Sequence, residues 1–124
     1  MSVPTEYLDE NHIRNRIKKL SKAHEDEIVA ALNNLEKAMV YFAETGVDAL
    51  RNSGLVRRES SGILAVDQSG CKRKPPCQIR LYFYVTDAPK RCFLLTLGDK
   101  RTQQEDNNRC KDLLKKAGLI GKRK

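Results

Sequence analysis

No stretch of this 124-residue chain approaches the roughly eighteen consecutive apolar residues that a membrane-spanning helix needs, so no such helix is expected. Residues Met1 to Glu10 contain Glu6, Asp9 and Glu10 but no lysine or arginine, so the basic, then apolar, opening of a secretory signal is missing and a cytoplasmic location is expected. Tryptophan is absent and aromatics make up only 6% of the residues, which leaves aliphatic side chains to build the core. Internal repeats and low-complexity tracts are also lacking, which excludes solenoids and disordered arrays. The length suits one domain, taken here as residues 1–124.

Zinc-type cysteine spacing is missing as well. Cys71 and Cys77 are separated by Lys72-Arg73-Lys74-Pro75-Pro76, Cys92 and Cys110 are far from both, and neither His12 nor His24 lies nearby in sequence. All four thiols are expected to be reduced, with no metal and no cofactor.

What is present is an excess of positive charge in one half. The chain carries 24 basic and 16 acidic residues, a net charge of +8. Residues 1–62 hold 9 basic and 10 acidic side chains and residues 63–124 hold 15 and 6, so the excess belongs to the second half. Such an imbalance suits a polyanionic partner.

The first half reads as helix. Ile13, Ile17 and Leu20 form one apolar stripe; Ser21 offers a cap with Glu25, Asp26 and Glu27 behind it; Ile28, Leu32, Leu35, Met39 and Phe42 continue to Gly46. Two antiparallel helices, or one bent at Ser21, are expected, with Val47, Ala49 and Leu50 able to add a turn. The period then changes. Ile63 to Val66 reads as a strand, Asp67 to Gln78 as a basic loop, and Ile79 to Val85 as the clearest strand of the chain. After a turn at Thr86 to Lys90, Cys92 to Leu97 returns as the second arm of a hairpin, and Gln104 to Ala117 reads as a helix ending at Gly118. The expected fold is α+β: two N-terminal helices on a small antiparallel sheet of three or more strands, then a C-terminal helix.

Alternation along Ile79–Val85 sends Ile79, Leu81, Phe83 and Val85 to one face and Arg80, Tyr82 and Tyr84 to the other. With helices covering the first face, the second is expected to lie open. Lys72, Arg73 and Lys74 in the loop, and Lys100 and Arg101 after the last strand, could converge on its edges. Cations to neutralise phosphates and tyrosine rings to stack on bases make an RNA-binding surface, so Lys72, Arg73, Lys74, Tyr82 and Tyr84 are the candidate RNA contacts.

The hairpin I79-R-L-Y-F-Y-V85, followed by F93-L-L-T-L-G-D-K-R-T-Q103 and a basic amphipathic helix, resembles the RelE-like toxin superfamily. The ending K-R-T-Q is similar to that of its phage-derived HigB-like branch, and the likeness is most specific over residues 79–103. It implies a toxin of a toxin–antitoxin system: a ribosome-dependent endoribonuclease, or mRNA interferase, that inhibits translation and is held inactive by a cognate antitoxin. By that resemblance Arg80 and Arg101 are catalytic, with Lys100 beside them. Many members begin with a strand, whereas Met1 to Glu10 shows none, and the lysines of the strand before the Y-R-L-x-Y segment are replaced by Ile63-Leu64-Ala65-Val66. Two other readings use the same scaffold: a ParE-like poison of DNA gyrase, and an RNA-binding or phage-derived module without nuclease activity.

The chemistry explains why arginines suffice. RNA supplies its own nucleophile, the 2′-OH, so a protein must align it with phosphorus, stabilise the phosphorane and assist two proton transfers. Arg80 and Arg101 suit the second task, because a guanidinium fork grips two phosphate oxygens and keeps its charge. For the base, Lys100, Lys72, Lys74, Tyr82 and Tyr84 are all candidates. His12 and His24 lie in the helical half and read as helix-surface residues.

Overall fold

A computed structural model describes residues 3–69 and 78–121. Its elements run β1 (Thr5–Tyr7), α1 (Glu10–Glu44), α2 (Val47–Arg51), β2 (Arg57–Arg58), β3 (Leu64–Asp67), β4 (Arg80–Asp87), β5 (Lys90–Gly98) and α3 (Gln103–Lys116). Short 3-10 turns at Ser60–Gly62 and Lys100–Thr102 precede β3 and α3.

Helix α1 starts where Asp9 accepts the His12 N–H at 3.2 Å and stops before Gly46, whose φ of 129° disfavours any other residue. In place of two separate helices there is one run, Glu10–Glu44, bent at His24 (φ −134°, ψ 34°), three residues past the expected Ser21. The β4–β5 hairpin holds the far end of this run. Lys90 Nζ donates to the Ala43 carbonyl at 2.9 Å, at the negative end of the helix, while Asp87 Oδ1 accepts the Val47 N–H at 3.0 Å where α2 begins.

The sheet has five strands in the order β1-β5-β4-β3-β2. Pairings among β2, β3, β4 and β5 are antiparallel, but β1 runs parallel to β5, with Thr5 opposite Cys92 and Tyr7 opposite Leu94. The expectation of a wholly antiparallel sheet, and of no strand in the first ten residues, is therefore corrected. Three residues are too few to show a period. Pairing with β5, and the bonds from Arg91 Nε and Nη2 to Glu6 at 2.9 and 2.6 Å, make them a strand.

Both faces of the sheet are covered. On one side, Leu64, Val66, Leu81, Phe83, Val85 and Leu94 pack against Ile28, Ala31, Leu35, Ala38, Met39 and Phe42 of α1. On the other, Ile63, Ala65, Tyr82, Phe93 and Leu95 pack against Cys110 and Leu114 of α3. An irregularity in the β4–β5 register, with Tyr82 opposite Thr96 but Phe83 opposite Leu94, inserts one residue and returns Leu97 to the α1 side. The open face expected for Arg80, Tyr82 and Tyr84 is thus the floor beneath α3.

Candidate nucleic-acid interface

Arg80 begins β4 between Asp67 of β3 and Gly98 of β5, its register partners. It is 8% exposed, against the expectation of an open surface residue. Pleating places it on the α3 side with Tyr82, and its guanidinium lies near enough to the Tyr82 hydroxyl to favour the phenolate. Burial acts the other way and dominates; with the charge of Asp106 it pushes the Tyr82 phenol up to about 12.

Tyr82 is fully buried and its hydroxyl makes no hydrogen bond of good geometry. As a base-stacking ring it is therefore corrected: α3 occupies the space a base would need. Tyr84 is half-buried, packs at the margin of the same core and donates its hydroxyl to the Leu119 carbonyl at 3.3 Å. Neither tyrosine is an open platform. Lys72, Arg73 and Lys74, like Cys71 and Cys77, lie outside the described residues. Cys92 and Cys110 are free, buried thiols pushed up to about 12 by desolvation, which makes them poor nucleophiles.

Lys100 and Arg101 sit in the 3-10 turn just beyond β5, and both are exposed. The Arg101 side chain is 87% exposed and donates to Asp99 Oδ2 through Nε (3.3 Å) and Nη2 (2.9 Å), while its backbone N–H bonds Asp99 Oδ1 at 2.9 Å. Partial burial would raise the Asp99 carboxyl, but these bonds and the Arg101 charge hold it below its ordinary value. A cleft of about 270 Å³ adjoins the turn, lined by Arg16 and Lys19 of α1 together with Arg101, Asp99, Thr102 and Glu105. The register therefore brings the start of β4 and the turn after β5 to one end of the sheet, Arg80 largely covered and Arg101 open.

Several polar residues around α3 are not evident from sequence. Glu59, before the turn into β3, accepts from Asn107 Nδ2 of α3 at 3.4 Å, and its charge is felt at the Tyr82 hydroxyl. Asp106 is fully buried; its Oδ2 accepts from Thr102 Oγ1 at 2.6 Å, and its Oδ1 stands 3.1 Å from Arg16 Nη1 in an ion pair without a hydrogen bond of good geometry. Its carboxyl is raised chiefly by burial, with Thr102 and Arg16 opposing the shift. His12 is not a plain surface residue either: Nε2 lies 2.7 Å from Thr96 Oγ1, and desolvation followed by the charges of Arg109 and Arg16 lowers its pKa. A carboxylate in the first turn of the last helix, Asp106, and a glycine-aspartate pair ending a strand, Gly98-Asp99, were the available signals. Among the described residues no group of histidine, cysteine and carboxylate side chains could hold a metal ion, and no helix is long and apolar enough to cross a membrane.

No family model, curated protein or solved structure matches this chain.

Proposed function

We propose that this chain is a toxin-type endoribonuclease of the RelE/HigB-like kind, acting in the cytoplasm on mRNA held by the ribosome and restrained by a cognate antitoxin. The observation that carries this reading is the pairing of Arg80 with Gly98, which puts the β4 arginine and the Lys100–Arg101 turn at one end of the sheet. The N-terminal strand, missing from the sequence pattern, adds support.

In this reading the RNA backbone lies over the β5–α3 turn. The 2′-oxygen attacks phosphorus as the bond to the 5′-oxygen breaks, leaving a 2′,3′-cyclic phosphate and a 5′-hydroxyl. Arg101, the exposed guanidinium, grips the non-bridging oxygens, and Lys100 adds charge beside it. Arg80 sits deeper and supplies a fixed positive field whose strength comes from its low exposure. Glu59 is our candidate for the base that takes the 2′-OH proton, since Asn107 orients its carboxylate; Lys100 is the candidate donor to the leaving oxygen.

Inducible expression with mapping of mRNA 5′ ends tests the proposal. Growth arrest with new cleavage sites in translated messages, both lost in Arg101→Ala, is the expected result; intact messages overturn it. The burial of Arg80 favours one second reading, a binder on the same scaffold without nuclease activity, which predicts RNA association or growth arrest with no cleavage.

A further inference from the structure

Arg16 of α1 meets Gly98, Thr102 and Asp106 where β5 ends. Arg16 reaches from α1 across the end of the sheet, and its Nη1 donates to the Leu97 carbonyl at 2.7 Å while standing 3.1 Å from Asp106 Oδ1. Thr102, the residue before α3, donates its hydroxyl to the other oxygen of Asp106 at 2.6 Å. Gly98 lies against this group so closely that a Cβ there would fall 2.0 Å from Asp106 Oδ2, 2.4 Å from Thr102 Oγ1 and 3.0 Å from Arg16 Nη1. The Asp106 side chain is 1% exposed and that of Arg16 21%.

A buried ion pair is weak evidence for net stability, because stripping water from both charges offsets their attraction, and an apolar pair of similar volume often serves as well. What such a pair does supply is geometry. It has directional bonds to a defined set of partners, and here every partner belongs to the segment Leu97–Asp106 or to α1. That segment contains Lys100 and Arg101 and little apolar anchoring of its own: Lys100 to Thr102 carries no buried residue.

We propose that Arg16 and Asp106 are positioning residues that seat the β5–α3 corner, and so fix where Arg101 presents its guanidinium. Through Leu97 the pair holds the end of β5; through Thr102 it holds the start of α3. Gly98 is the only residue that lets the carboxylate come close enough to do both. Asp99 then completes the arrangement from the outer side by binding Arg101 itself. The role assigned to Arg101 rests on the nuclease reading above, whereas the seating of the corner does not.

Amide hydrogen exchange on the intact chain, with Asp106→Asn, which keeps shape and removes charge, and Arg16→Lys, which keeps charge and removes the guanidinium fork, reads the seating directly. Exchange at Arg101, Thr102 and Gln103 is expected to accelerate by about tenfold or more beyond any change in the β4 amides. Acceleration spread in proportion over β4 and the corner would make the pair a general stabiliser and overturn the proposal. A cleavage cycle reads the link to Arg101: Asp106→Asn should lower kcat about tenfold with KM little changed, yet cost less than about twofold more in an Arg101→Lys background that keeps measurable cleavage. Full additivity overturns the link. A wild-type chain that cleaves no RNA sinks the nuclease reading and with it the Arg101 link, while the exchange measurement still decides the seating.

Discussion

Arg101 and Asp99 form a two-pronged contact in which Nε and Nη2 of the guanidinium both point at Oδ2, at 3.3 and 2.9 Å. That edge of the guanidinium is the one a phosphate would take. The acidic neighbour and an incoming phosphodiester therefore compete for the same donors.

Asp99→Asn removes the competing charge and keeps an oxygen able to accept the Arg101 N–H. With the guanidinium open to solvent and the carboxylate covered, the pair is taken at the value of a screened pair, about 0.2–1 kcal/mol, so affinity for a short single-stranded RNA should rise by up to about fivefold. Fluorescence anisotropy at fixed salt measures it. Unchanged or weaker binding would place the RNA elsewhere.

Tyr82→Phe deletes a buried hydroxyl that has no good hydrogen bond and leaves the ring in the α3 core. Urea denaturation should show unchanged stability or a gain of about 1 kcal/mol, because no satisfied bond is lost and a desolvated polar group is removed. RNA affinity should not change, in contrast to what an exposed stacking ring would predict.

Gly98→Ala places a methyl on the Asp106–Thr102 contact, where the side-chain ends of Asp106 and Thr102 must swing away and give up their mutual bond to admit it. A loss of about 3 kcal/mol is expected, at the upper end for overpacking, visible as a lower urea midpoint. Gly54→Ala, where a Cβ meets no neighbour within 4 Å, tests for the cost of positive φ alone and should lose less.

Acid should weaken the fold in two stages. His12 has a lowered pKa in the folded chain, so between its ordinary value of 6.5 and that lower value the unfolded chain binds more protons and stability falls as pH falls. Near pH 4 and below, Asp67 and Asp99, both held below their ordinary 3.8, add a second loss when they protonate. Asp106, raised by burial, works in the opposite sense above 3.8 and gains stability on acidification. His12→Gln should flatten the first stage and leave the second; denaturation midpoints from about pH 7.5 down to about pH 3, spanning the ordinary histidine and carboxylate ranges, decide it.

Much of this architecture was legible in sequence, and the misreadings have physical causes. The hairpin and α3 were found because each has a clear period and a turn signal at its ends. The second covered face is not visible in β4 alone, whose alternation sends Arg80, Tyr82 and Tyr84 outward. The strands beside it told otherwise: Ile63 to Val66 and Cys92 to Leu97 are nearly continuous apolar runs, the pattern of strands buried on both sides. Strand β1 has no local signature, and its existence depends on a partner at the other end of the chain. Asp106 looked like an ordinary first-turn acid, since only the fold brings Arg16 to it.

The pairing of Thr5 with Cys92 also orders events in time. A chain emerging from the ribosome amino end first has nothing for β1 to join until β5 has been made and can lie beside it. Closing so wide a loop comes late in folding, so Thr5–Tyr7 stay unpaired until β5 has formed, and this edge of the sheet is completed last.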